Sequence, residues 1–90
     1  MTTADMRKPV RLELNNSGSW KCLGRFDAGD QVQTELVLGG AESLVKTLHN
    51  GGPGKCPTLR VSFDDALGEV LLRWDIHRGW TDAKTRESFW

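Results

Sequence analysis

Ninety residues make one domain with room for a single core, and 38% hydrophobic with 27% charged residues exclude wholesale disorder. Twelve Lys and Arg balance twelve Asp and Glu, so the chain lacks the long-range field that drives non-specific attraction to nucleic acid or anionic membrane. No apolar run approaches the ~20 residues that span a bilayer, and MTTADMRKPV has no signal-peptide core. A cytoplasmic protein with no membrane partner is the expectation.

Residues 1–9 are polar and aperiodic and read as a flexible N-terminal tail, leaving 10–90 as one α+β domain. Val10, Leu12 and Leu14 alternate with Arg11, Glu13 and Asn15, which predicts a half-buried strand. After the turn at Asn15–Gly18 a second strand places Trp20, Cys22 and Phe26 on one face and Lys21, Leu23 and Arg25 on the other. Asp27–Asp30 is the next turn. Gln31–Leu38 alternates again and reads as a third strand, with Val32, Thr34, Leu36 and Leu38 inward and Val37 outward.

Gly39–Gly54 then carries the one clear helical period. Ala41, Leu44, Val45 and Leu48 recur at i, i+3, i+4 and i+7, Lys46 and His49 suit the C-terminal dipole, and Asn50–Gly51–Gly52–Pro53 closes the helix. Leu59, Val61 and Phe63 define a fourth strand, and Val70, Leu72, Trp74 and Ile76 a fifth. Gly79 stops it, and the charged tail starts a short helix at Thr81 or Asp82.

The order expected is therefore βββαββ. It forms a two-layer sandwich: a mostly antiparallel five-stranded sheet, one helix on its apolar face and a short C-terminal tail. The helical stripe should bury against Leu12, Trp20, Leu36, Val61, Leu72 and Trp74. Crossover handedness would set the fourth strand parallel to the first or the third.

No motif for chemistry survives its spacing. Gly51–Lys55 suggests a phosphate loop, but a P-loop needs a glycine where His49 stands and a Ser or Thr where Cys56 stands. It also follows a helix C-terminus, which repels anions. Cys22, His49, Cys56 and His77 show none of the close pairing of zinc ligands, so neither metal nor cofactor is expected. Cys22, on the Trp/Phe face, reads as a buried inert thiol and Cys56, in its loop, as the reachable one. Asp27/Asp30 and Asp64/Asp65 sit in turns, where Asp serves the backbone.

Arg11, Lys21, Arg25, Arg60 and Arg73 point to the wet sheet face, but with the aromatics inward and Glu13, Glu35, Asp64 and Asp75 among them, stacking on single strands is not favoured. Leu23, Val37 and Leu71 interrupt that wet face. Trp80, Phe89 and Trp90 lie beyond the last strand. Either the tail folds back over those aliphatics or another chain covers them.

The expected function is a small non-catalytic protein-binding module, a protein partner or self-association being its mode, with a phage or mobile-element inhibitor of a host complex (anti-CRISPR-type) as one form. Its expected contact residues are Leu23, Arg25, Val37, Leu71, Arg73, His77, Arg78, Trp80, Phe89 and Trp90. A nucleic-acid-binding sheet domain is the alternative, and a small hydrolase the distant one.

Overall fold

The computed structural model describes residues 8–16, 18–49 and 56–89. The elements are β1 (Pro9–Asn15), β2 (Trp20–Asp27), α1 (Gln31–His49), β3 (Thr58–Phe63), β4 (Val70–Asp75) and β5 (Gly79–Asp82). One five-stranded sheet runs in the order β2-β1-β3-β4-β5, and every adjacent pair is antiparallel. The α+β class, the five antiparallel strands and the single helix on one face are as the periodicities indicate.

The order along the chain is ββαβββ, and it departs from the expected βββαββ at two places. Gln31–Leu38 is the first half of α1, because Asp30 caps it. The Asp30 carboxylate accepts from the Gln33 amide at 3.0 Å, while the Gln33 side chain accepts from the Asp27 amide at 3.1 Å. Asp30 is thus the N-cap, its carboxylate satisfying one of the helix's orphaned first-turn donors, and the Gln33 side chain ties that first turn back to the end of β2. The helix then runs through Gly39 and Gly40 for 19 residues.

Its buried line is Thr34, Leu38 and Val45, with Ala41 half-buried between them. That line is set from the true start of the helix, and it rotates Leu44 and Leu48 out of the core into solvent. Val32 and Leu36, expected inward on a strand, are exposed on the helix as well.

The fifth strand comes from the residues read as tail. Gly79 adopts a φ of 73, and the Asp75 carboxylate accepts from the His77 and Arg78 amides at 2.8 and 2.9 Å, closing a three-residue hairpin loop. Ile76 is therefore in a turn, and Gly79 opens a strand instead of ending one. Asp82 then makes a turn, and the chain returns along β5, with a bridge between Thr81 and Ser88 and the Phe89 amide donating to the Trp80 carbonyl at 3.0 Å. No helix starts at Thr81 or Asp82.

Because α1 links β2 to β3, the crossover passes over β1, and β3 is antiparallel to the first strand. Pro9, assigned to the tail, is already paired with Asp27 in the sheet, and residues 1–7 lie outside the described residues.

A bulge decides the faces of β2. Its register with β1 shifts between Leu12 and Glu13, so Phe26 lies opposite Val10 while Cys22 lies opposite Glu13 and Trp20 opposite Asn15. One extra residue reverses the alternation. Trp20 and Cys22 are consequently on the outer face, and only Phe26 joins the core. Cys22 is exposed and Cys56 half-buried against the core, the reverse of their expected accessibility; burial pushes the Cys56 thiol up.

The core lies between α1 and the inner sheet face: Val10, Leu12, Phe26, Leu59, Val61, Leu72, Trp74 and Trp80, with Leu38 and Val45 from the helix. Both ends of the sheet reach the helix. β2 turns directly into it, and from β5 the buried Trp80 indole N–H donates to the Leu38 carbonyl at 3.1 Å.

Candidate functional site

Two surfaces stand out, one on each layer. On the sheet layer the outer face has a polar centre. Glu13 is buried there and accepts from Arg60 Nε at 2.8 Å and Ser62 Oγ at 2.7 Å. Burial pushes its carboxyl up, but the hydrogen bonds from Ser62 and Arg60 and the charges of Arg60 and Arg11 outweigh that and hold it below its ordinary value. The Arg60 guanidinium also lies 4.0 Å from the Trp20 ring centroid, a cation–π contact. Toward the end of the same face Asp64 is shared by Arg25 at 3.0 Å and Arg11 at 3.8 Å. The acids of this half of the sheet are thus committed to its arginines.

The other half is different. At the β4–β5 hairpin Arg73, Arg78 and Arg86 line a concavity of about 350 Å³, and none of them forms an ion pair with a described residue. Asp75 and Asp82 share the basin, but one oxygen of each accepts two backbone amides of its own turn. The bonds from the Thr85 and Lys84 amides hold the Asp82 carboxyl below its usual range.

On the helix layer Val32, Leu36, Leu44 and Leu48 are 68, 72, 57 and 76% exposed. With Gly40 they form one row at every fourth residue, a ridge of the kind by which helices pack together. It extends about 24 Å along the axis at 1.5 Å per residue.

The expected contact residues do not form one surface. Arg73 and Arg78 come together in the basin, with His77 exposed in the adjoining turn. Leu23 is exposed at the bulge of β2, and Arg25 is held by Asp64. Val37 is on the helix and, like Leu71, half-buried against the core. Trp80 is a core residue at 1% exposure and offers nothing to a partner. Phe89 shares a cleft of about 280 Å³ with Ala28, Gly29 and the first turn of α1, on the helix side and away from the outer-face aliphatics. Trp90 and the Gly51–Lys55 loop lie outside the described residues.

Reasoning from the chain missed the helix ridge, Arg86, and the outward position of Trp20 beneath Arg60. The capping pair Asp30 and Gln33 was the available signal for the ridge. Among the described residues no three His, Cys, Asp or Glu side chains converge in a way that could hold a metal ion, and no helix is long and apolar enough to cross a membrane.

No protein family's sequence profile matches the chain, and no solved structure matches it. It is similar to the DNA mismatch repair protein MutS 1 of two strains of Halobacterium salinarum, 37% identical over 73 residues in each. That stretch is 79% of this chain and 8% of the relative, so the chain spans a small part of the length of the curated proteins it matches.

Proposed function

We propose that the protein is a non-catalytic protein-binding module whose contact surface is the ridge of α1, and that the occupant of the ridge is a second copy of the chain. The observation that carries this is the row of four exposed aliphatics, which no part of the described chain covers.

Three properties point to self-association. First, the row is symmetric about Gly40: Leu36 and Leu44 lie four residues to either side, Val32 and Leu48 eight. A two-fold axis at Gly40 therefore sets Leu36 of each copy against Leu44 of the other, the self-complementary pairing of an isologous interface. Second, Gln33, Ser43 and Thr47 flank the row and no charge lies on it, so a copy meets no like-charge repulsion. Glu35, Glu42 and Lys46 occupy a different flank.

Third, a Cβ at Gly39 or Gly40 would meet no atom of the described residues within 4 Å, so none of them requires glycine there. Glycine is a poor interior helix residue, by about 1 kcal/mol relative to Ala. A second helix backbone crossing at this point gives it a use. Each exposed aliphatic offers roughly 100 Å² of apolar surface, so a pair of copies buries on the order of 800 Å², the range of weak, reversible association.

Sedimentation equilibrium tests this. The mass should rise from 10.0 kDa toward twice that as concentration increases. Leu36→Gln with Leu44→Gln should hold the protein monomeric and leave the unfolding free energy within about 0.5 kcal/mol, since both side chains are exposed. A wild-type protein that stays monomeric into the high micromolar range would overturn the reading.

The likeness to a segment of a DNA mismatch repair protein favours a second reading, contact with DNA, on the sheet layer. The two readings use opposite faces and do not compete.

A further inference from the structure

Resting on that second reading, we infer that the basin of Arg73, Arg78 and Arg86 is a binding site for the phosphate backbone of a nucleic acid. The chain is neutral overall, but its charges are sorted. Glu13 takes up Arg60, Asp64 takes up Arg11 and Arg25, Glu42 takes up Lys46, and Glu69 takes up Lys84. Among the described arginines this pairing leaves three without an ion pair, Arg73, Arg78 and Arg86, and all three stand around one concavity.

The two carboxylates in the basin are tied to backbone amides, and they leave it with three positive charges against two negative. Guanidinium is the side chain whose planar fork matches phosphate oxygens two at a time. Thr81, also lining the basin, adds a hydroxyl.

The arginines also come from three separate pieces of backbone. Arg73 projects from β4, opposite Arg60 on β3 and Thr81 on β5. Arg78 stands in the hairpin turn. Arg86 is held at a φ of 65, where a residue with a side chain is uncommon, by its amide donating to the Asp82 carbonyl at 2.8 Å. That turn brings Arg86 back over the hairpin. A concavity of this size admits a phosphate group and not a duplex groove, and its position on the open sheet face lets a strand continue past it.

The test is fluorescence anisotropy with a short labelled single strand and the matching duplex, over a salt series. Three phosphate contacts predict a log–log salt slope of about −2 for the single strand. Arg73→Ala with Arg78→Ala and Arg86→Gly should weaken binding at least tenfold and flatten that slope, Arg86→Gly being chosen because glycine accepts the φ. Arg25→Ala, an arginine paired elsewhere, should leave binding unchanged. Replacing the three by Lys keeps the charge and loses the fork, so it should keep the salt slope while weakening binding less than the triple truncation does.

Strand binding unaffected by the triple substitution would overturn the location while leaving DNA contact standing. No binding by the wild type to either form would overturn both. Inorganic phosphate displacing the strand at equal phosphate concentration would assign the basin to the free ion and overturn the nucleic-acid assignment. A thermal melt of each variant excludes loss of fold.

Discussion

Trp80→Ala should cost about 3–5 kcal/mol of stability, the largest effect of any single truncation in this fold. The side chain is 1% exposed and lies opposite Trp74 on the neighbouring strand. Its indole N–H donates to the Leu38 carbonyl of α1 within the core, so it joins the last strand to the helix. Alanine there leaves a cavity between the layers and removes the hydrogen bond. Trp80→Phe keeps most of the packing and loses only the donor and part of the volume; about 1–3 kcal/mol is expected. Urea unfolding measures both. A loss below 1 kcal/mol for the alanine variant would contradict the placement of Gly79–Asp82 as a core strand.

Glu13→Gln should be the costliest change on the outer face, about 2–4 kcal/mol, because it leaves Arg60 half-buried without its counter-ion. It also has a pH signature. The folded-state pKa lies below the ordinary 4.5, so the contribution is fully present above about that pH and is lost as pH falls through the folded value. The wild type should therefore lose stability on acidification below about pH 4.5, and Glu13→Gln should lose less over the same interval. Parallel profiles for the two proteins would show that the Glu13, Arg60 and Ser62 cluster contributes nothing to the pH dependence.

The strands whose apolar residues alternate without interruption were legible from the chain. Val10, Leu12, Leu59, Val61, Leu72 and Trp74 are buried where their period puts them. The failures have specific physical causes. Gln31–Leu38 satisfies the period of two, but it also carries Thr34 and Leu38 four residues apart, in line with Ala41 and Val45. The capping pair Asp30 and Gln33 decides between the two readings, and Gly39–Gly40 disguised the result by suggesting a helix start.

Once the helix begins at Gln31, its buried line rotates, and Leu44 and Leu48 become surface. The bulge at β2 could not be read from alternation, because Leu23 and Gly24 fit an unbroken strand as well as a bulged one. The candidate surfaces were legible only in part. Arg73 and Arg78 were singled out by their outward register or turn position, but their union with Arg86 depends on the Asp82 turn. The ridge was invisible while half of the helix was read as strand.

Cysteine cross-linking at the crossing point tests the paired helices most directly. In a background of Cys22→Ser and Cys56→Ala, Leu36→Cys mixed with Leu44→Cys should give a disulfide-linked dimer under mild oxidation. The two-fold sets these positions opposite each other, a disulfide requires Cα atoms within about 7 Å, and Gly40 keeps the bare backbone the crossing needs. Glu35→Cys and Lys46→Cys, on a different flank of α1, should remain monomeric under the same conditions. Absence of cross-linking between positions 36 and 44, or equal cross-linking at the flank positions, would contradict a two-fold contact centred on Gly40.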